Sequence, residues 1–487
     1  MTVKVRFAPS PTGPLHIGGA RSALFNYLFA ANKGGTFILR IEDTDLERSS
    51  RESEKNIIEA LRWLGLSWNE GIEVGGENGP YRQTERLHIY DEYTKKLLEA
   101  GQAYLCYCTE EELEQERQEL LERGETPRYL GKCRTLTAEQ RQAYEAEGRK
   151  PAVRFVVPPG RQIVINDLIR GQVVFDSDGI GDYIIVKSDG IPTYNYAVVI
   201  DDLLMGVTHV VRGEEHLSNT PRQVLIYEAL GAKAPDFAHI SLILNTEGRK
   251  MSKRDGDTAV VDYAKKGYLP QAVVNFIALL GWSPSGEQEF FTLEELVKEF
   301  SLEKVSKSPA VFDLNKLNHI NSHYLKQTPD EELVDLCLPF LREQGLFAGE
   351  LTAADREWIA RFIGAVKEKI NNLSEIKGYT KYFTGTTVDE LDSEAKSLLQ
   401  TETFPAVLEL FKQKISAREV LDPENAKAIL KEITKELKLK GKDVFMPLRI
   451  AVTGQMHGPD LDVILALLGK ENIAARLELT VKQINNS

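Results

Sequence analysis

A short stretch near the amino terminus restricts the fold more than any other part of this chain. Residues 6–21 read RFAPSPTGPLHIGGAR. Val3, Val5 and Phe7 alternate with Lys4 and Arg6, the period-two pattern of a strand. Pro9, Pro11, Gly13 and Pro14 then forbid regular structure. Beyond them Ile17, Ala20, Leu24, Leu28 and Ala31 recur at helical spacing, and Gly34-Gly35 closes the helix. Strand, irregular loop and helix begin an α/β domain, with His16, Gly18 and Gly19 at the helix mouth. A first helical turn offers unpaired N–H groups and partial positive charge, which suits phosphate. Gly18 and Gly19 have no Cβ, so a flat ring or a phosphate can approach the backbone closely. Loops of this kind also serve as plain connections, so the stretch alone leaves nucleotide binding open.

A second stretch shifts the balance. Lys250-Met251-Ser252-Lys253-Arg254 gathers three cations, followed by Asp255-Gly256. Alone it reads as a solvated loop. Paired with His16-Ile17-Gly18-Gly19, it resembles the HIGH and KMSKS signatures of class I aminoacyl-tRNA synthetases. Arg254 stands where the second signature usually ends in Ser, and leaves the second Lys intact. Pro9-Ser10-Pro11-Thr12-Gly13, Arg40-Ile41-Glu42-Asp43-Thr44-Asp45, Tyr81-Arg82-Gln83-Thr84-Glu85-Arg86 and Arg212-Gly213-Glu214-Glu215-His216 narrow the resemblance to the bacterial-type glutamyl-tRNA synthetases. It is strong over residues 3–316 and looser beyond.

The resemblance implies an α/β Rossmann-type class I synthetase catalytic domain with an inserted α+β module, followed by an all-α C-terminal anticodon-binding region. The residue patterns agree. Residues 1–94 and 191–244 read as the split catalytic domain, and 95–190 as the insertion, for which the family implies contact with the tRNA acceptor end. Strands are expected at 36–41, 153–157, 163–165, 173–175, 183–186, 209–212 and 240–244, and helices at 53–64, 89–100 and 110–123. Residues 245–324 form a connecting part holding the cationic loop. From 325 to 487 the pattern is helical, with segments expected at 331–344, 354–370, 390–399, 404–415, 423–437, 446–453, 461–469 and 472–481.

Composition sets outer limits. A chain of 487 residues suggests about three domains. No apolar run reaches the roughly 18 residues that span a bilayer. Residues 1–5 lead straight into a strand and leave no room for a signal peptide, so a cytoplasmic location is expected. Four cysteines do not make a disulfide framework. A net charge of −13 argues against a generic nucleic-acid coat, so any RNA must be held by local basic patches.

The implied reaction joins L-glutamate to tRNA(Glu) using ATP and Mg2+, through a glutamyl-adenylate. The family is often monomeric, and whether tRNA(Gln) is also charged is left open. Neither step needs a protein nucleophile; the protein must align reactants and neutralise phosphate charge. By resemblance His16, Lys250 and Lys253 are the catalytic residues. Pro11, Thr12, Gly13, Gly18, Gly19, Met251 and Ser252 join them around ATP. Arg6 and Arg212 would meet the substrate carboxylates, since a guanidinium fork grips carboxylate in parallel bonds. Glu42 would pair with the ammonium, with Ala8, Ser10 and Tyr194 completing the pocket. Asn195, His216 and Leu244 are weaker near-site positions. Cys106-x-Cys108 with a later Cys133 has metal-ligand character, and Tyr129 is a candidate fourth ligand for Zn2+. Some family members place His two residues after the third Cys; here that residue is Thr135. In the helical region Lys431, Lys435, Lys438, Lys440 and Lys442 form a cationic run, and Arg449 is the candidate base contact. A glutaminyl-tRNA synthetase fits less well, because its relatives carry C-terminal β-barrels. A non-catalytic RNA-binding paralogue is disfavoured by the intact His16, Gly18, Lys250 and Lys253.

Overall fold

The alternating residues at the start form strand β1 (Lys4–Phe7), and the apolar stripe after the proline loop forms helix α1 (Ile17–Asn32). The chain leaves α1 through Gly34, whose φ of 59° disfavours any residue with a Cβ. It returns as β2 (Thr36–Leu39), parallel to β1 with Val5 opposite Phe37. Helix α2 (Arg51–Trp63) is capped by the Ser50 hydroxyl and buries Ile57, Ile58 and Leu61. Strand β3 (Glu70–Gly71) pairs parallel with the outer side of β2. The strand expected over 36–41 ends early. Arg40 turns into a buried ion-pair network, and Ile41 continues only as a bridge to Arg82.

The computed structural model describes residues 2–251, 258–384 and 391–486. They divide into two compact units, one of Met1–Ala264 with Pro270–Leu314, the other of Lys265–Leu269 with Asn315–Ser487.

In the first unit the α/β pattern resumes with α3 (Tyr194–Leu204), β4 (His209–Gly213), α4 (Thr220–Ala229) and β5 (Asp236–Ile240). Strands β4 and β5 are parallel, with Arg212 opposite His239. The Thr208 N–H donates to the Lys4 carbonyl at 2.8 Å, which brings β4 to the free edge of β1. Connections therefore run outward in both directions from β1. In such sheets a crevice opens beyond the carboxyl ends of the central strands. The strand expected over 240–244 is displaced: β5 ends at Ile240, and Ile243–Leu244 is a separate short strand parallel to Ala310–Val311. Asp236 and His239 broke the apolar pattern that would have placed β5 correctly.

Between the two halves, Ala103–Cys106, Ala152–Phe155 and Tyr183–Val186 form an antiparallel sheet. A two-stranded ribbon, Gln162–Asp167 with Gly171–Asp176, places Val164 opposite Val174. Ile163, Ile165 and Asp167 point inward along it, and the Leu168 N–H donates to the Phe237 carbonyl at 2.8 Å, tying the ribbon to β5. Helix Ala138–Ala146 was not expected; it buries no residue, so it shows no apolar period, and a Thr137–Gln140 capping box sets its start.

The described residues of the second unit are helical and contain no strand. Helices Phe404–Ser416, Pro423–Glu436, Gly441–Thr453 and Leu461–Asn486 share a core that includes Phe411, Ile433, Leu448 and Leu465. The last is broken at Gly469 (φ 72°), as the two separate segments expected there require. The helix expected at 446–453 begins earlier and carries Pro447 inside it rather than at its start.

Candidate active site

The carboxyl ends of β1, β2, β4 and β5 open into one cleft of about 1280 Å3. Arg6, Ala8, Ser10, Thr12, Gly13, His16, Gly18, Gly19, Glu42, Tyr194, Arg212, Lys250 and Met251 all line it. Pro11 does not; it is buried behind the loop, and its carbonyl accepts the Ser50 N–H at 3.0 Å. Ser252 and Lys253 lie outside the described residues.

One wall is the proline-rich loop before α1 together with the mouth of that helix. His16 caps α1, its Nδ1 accepting the Gly19 N–H at 3.1 Å. Nδ1 therefore carries the lone pair, and Nε2 carries the hydrogen. Burial lowers the His16 pKa from its ordinary value against the pull of Glu215, and Lys250 adds to the lowering, so the ring is neutral. Lys250 and Met251 are stitched to the same wall. The Met251 N–H donates to Ile243 O at 3.2 Å, and Thr258 O accepts the Ile17 N–H at 2.9 Å. Leu244 pairs with Lys250 on the strand side and does not line the cleft.

The opposite wall is built on buried charge. Asp202 at the end of α3 accepts Arg6 Nε at 3.2 Å and Arg40 Nη1 at 2.8 Å. Arg40 Nη2 donates to Glu42 Oε1 at 2.9 Å. Asp201 beside it accepts Arg86 Nε at 2.6 Å, Gln83 Nε2 at 2.9 Å and the Tyr90 hydroxyl. Arg6 is anchored only through Nε, so its two terminal nitrogens have no partner among the described residues. Burial raises the Glu42 pKa despite Arg40 and Arg6, which leaves a carboxylate short of positive charge.

Arg212 stands apart. It is 6 % exposed and every hydrogen-bond partner is neutral: His239 Nε2 at 3.2 Å, the Tyr194 hydroxyl at 3.2 Å, Thr220 Oγ1 at 2.9 Å and Gln223 Oε1 at 2.8 Å. It makes no ion pair among the described residues. Burial, reinforced by Arg6, lowers its pKa from the ordinary value. A buried cation without a counter-charge is costly in isolation and favours an anionic ligand. Asn195 supports this group from behind, accepting Gln223 Nε2 at 2.9 Å, and the His216 ring lies 5.4 Å from that of Tyr194.

Sequence reasoning gave no role to Asp202, Asp201, Arg40, Thr220, Gln223, His239 or Asp167. The signal present was two acids closing the apolar run Ala197-Val198-Val199-Ile200, which can be buried only beside cations.

In the insertion, the Sγ atoms of Cys106, Cys108 and Cys133 lie within 4.8 Å of one another. The Tyr129 hydroxyl is 3.5 Å from Cys108 Sγ and 3.7 Å from Cys106 Sγ. Tetrahedral zinc with bonds of about 2.3 Å needs sulfurs about 3.8 Å apart, so this donor set fits the metal. Arg154 Nε lies 3.1 Å from Cys106 Sγ. The close Cys108 and Cys133 sulfurs, together with Arg154, favour the Cys106 thiolate over burial. In the second unit Arg449 is half-buried and donates to Pro459 O at 2.8 Å, while the five lysines of the cationic run are exposed and make no ion pair among the described residues.

Comparison with known proteins agrees with this arrangement. Residues 2–319 match the family model for the catalytic domain of class I tRNA synthetases (E and Q), and 332–481 match the model of an anticodon binding domain. The chain is 66% identical over 476 residues to a glutamate–tRNA ligase of Desulfitobacterium hafniense, covering 98% of both chains. It is 51% identical to that of Bacillus subtilis, covering 98% of this chain and 99% of the relative. A crystal structure of a glutamate tRNA ligase from Elizabethkingia meningosepticum, in complex with its amino acid, superposes with a TM-score of 0.89 at 37% identity, covering 99% of this chain and 100% of that one. A chain that carries both domains end to end and is this similar over nearly its whole length belongs to the glutamate–tRNA ligase family of class I aminoacyl-tRNA synthetases.

Proposed function

We propose that this chain attaches L-glutamate to the 3′ end of tRNA(Glu) through a glutamyl-adenylate. The buried guanidinium of Arg212, facing the cleft with only neutral partners, carries the reading. A substrate carboxylate supplies the missing negative charge. The free terminal nitrogens of Arg6 take a second carboxylate contact, and Glu42 takes the ammonium. The amide of glutamine leaves the Arg212 charge uncompensated, and losing a designed polar pairing discriminates by roughly 10⁴.

In the first step a glutamate carboxylate oxygen bonds to the α-phosphorus of ATP, and the bond to the β-bridging oxygen breaks to release pyrophosphate. His16 Nε2–H, the amides of Gly18 and Gly19, Lys250 and Lys253 stabilise the charge that develops, with Thr12, Gly13, Met251 and Ser252 around the nucleotide. Mg2+ arriving with ATP would supply further neutralisation of phosphate charge. In the second step a ribose hydroxyl of the terminal tRNA adenosine takes the acyl group and AMP leaves. Residues 95–190 meet the tRNA acceptor end, 245–324 connect, and 325–487 read the anticodon, with Arg449 as base contact. Cys106, Cys108, Tyr129 and Cys133 would hold Zn2+, which would cross-link the insertion.

ATP–pyrophosphate exchange tests the reading, run with and without tRNA. Glutamate-dependent exchange in the presence of tRNA is expected. No exchange under either condition would replace it with a non-catalytic RNA-binding role. Aminoacylation of purified tRNA(Glu) and tRNA(Gln) side by side determines whether both are charged.

A further inference from the structure

Behind Arg212 lies a buried pair that the reaction described above does not use. His239 on β5 is 0 % exposed and Asp167, at the end of the ribbon strand, is 4 % exposed. His239 Nδ1 is 2.6 Å from Asp167 Oδ2, and His239 Nε2 is 3.2 Å from Arg212 Nε. The proton positions follow. A carboxylate only accepts, so Nδ1 carries the hydrogen; an arginine Nε only donates, so Nε2 carries the lone pair. Burial, with Arg212, keeps the imidazole neutral against the pull of Asp167. The carboxylate is itself pinned. Its Oδ1 accepts the Ile169 N–H at 2.9 Å and the Arg170 N–H at 2.7 Å, and its Oδ2 accepts the His239 N–H at 3.1 Å.

A guanidinium has five N–H groups. Four on Arg212 are taken, by His239, Thr220, Gln223 and Tyr194, and the one left is on Nη1 beside the Tyr194 hydroxyl. The direction of that last N–H depends on what holds the Nε edge.

We propose that Asp167 and His239 are positioning residues for amino-acid specificity: the carboxylate fixes the imidazole tautomer that accepts from Arg212 Nε, and this aims Arg212 Nη1 at the substrate carboxylate. The proposal rests on the assignment of Arg212 to glutamate binding. In the other tautomer, or protonated, His239 would turn an N–H against the Arg212 N–H and swing the fork. Asp167 belongs to the inserted ribbon and His239 to the central sheet. The amino-acid pocket is therefore complete only with the ribbon docked on β5, as the Leu168–Phe237 hydrogen bond holds it.

The test uses the full-length enzyme, with tRNA present, and four variants. In Asp167→Asn the amide oxygen keeps the two loop N–H groups at the Oδ1 position, so the new NH2 takes the Oδ2 position, where it meets only one backbone N–H, and faces His239 Nδ1. It thereby forces the wrong tautomer. His239→Gln puts an amide oxygen near the Nε2 position, and His239→Ala removes the acceptor. Arg212→Lys reports on the underlying assignment. Asp167→Asn and His239→Ala are expected to raise the glutamate KM roughly 10–100-fold, as losing the group that orients a ligating side chain does, and to narrow glutamate-over-glutamine discrimination. The ATP KM should stay within about twofold, and His239→Gln should recover much of the glutamate KM. A general loss of packing would instead lower kcat for both amino acids alike. If Asp167→Asn and His239→Gln fold and keep wild-type glutamate KM while Arg212→Lys loses it, the pair is only scaffold. If Arg212→Lys also keeps it, the Arg212 assignment itself fails.

Discussion

Replacing Arg212 by Met separates binding from stability, because its effects on stability offset one another and its effect on binding is not offset. Arg212 is nearly fully buried, has no carboxylate partner, and is disfavoured in its charged form by burial. Its removal relieves a desolvation cost but strands the Tyr194 hydroxyl and Gln223 Oε1, while Thr220 Oγ1 and His239 Nε2, 3.1 Å apart, keep each other as partners. Each stranded group costs about 1–3 kcal/mol at most, less where Tyr194 meets cleft water and where the Gln223 amide can turn. A buried charge without a partner costs several kcal/mol in the other direction. The melting temperature is therefore expected to change by no more than a few degrees. Glutamate binding has no such compensation. The substrate carboxylate loses the buried guanidinium as its counter-charge, a loss of about 3–5 kcal/mol. At about 1.4 kcal/mol per tenfold, this is roughly 10²–10⁴ in kcat/KM for glutamate. The assay is glutamate-dependent pyrophosphate exchange with tRNA, read at varied glutamate and at varied ATP, beside a thermal melt. A folded variant whose glutamate kcat/KM stays within about threefold of the parent would refute the argument.

Other outcomes follow from the same geometry. His16→Asn keeps a cap for α1 and should melt like the parent, yet lose about 10²–10³ in the adenylation rate; an unchanged rate would leave His16 as a cap only. Burial first, then Lys250, depresses the His16 pKa, so the neutral ring prevails above 6.5 and is lost only as pH falls through a lower value. Adenylation should accordingly be flat from pH 6.5 upward, and an inflection above 6.5 that His16→Asn abolishes would contradict this. Asp202→Asn should destabilise by about 3–5 kcal/mol, because Arg6 and Arg40 lose a buried counter-charge. Burial raises the Asp202 pKa but the two arginines outweigh it, so its stabilisation is present above pH 3.8 and disappears as pH falls through the lower folded value; an Asn variant with the parent's melting temperature at pH 7 would sink the point. Elemental analysis should find about one zinc per chain, lost in Cys108→Ser together with thermal stability of the insertion; a metal-free preparation of full stability would leave four ordinary side chains.

Much of this molecule is legible along the chain because its signals are local. The proline loop between a strand and a helix, the period-two residues of β1 and the ribbon, and the apolar stripes of α1, α2 and the C-terminal helices each depend on residues a few positions apart. His16, Gly18, Lys250 and Glu42 stand out only because the short motifs that hold them resemble those of a known family. The ion pairs do not stand out. Arg6 finds Asp202, Arg40 spans to the same carboxylate, and Arg212 leans on a histidine held by an aspartate from the insertion. None of these partners is close in sequence, and an arginine in a strand reads identically whether its charge is cancelled or left over. Only the tertiary arrangement, by burying Arg6 beside a carboxylate and Arg212 beside none, decides which cation awaits an anionic substrate, because the cost of a buried charge is set by what surrounds it in space.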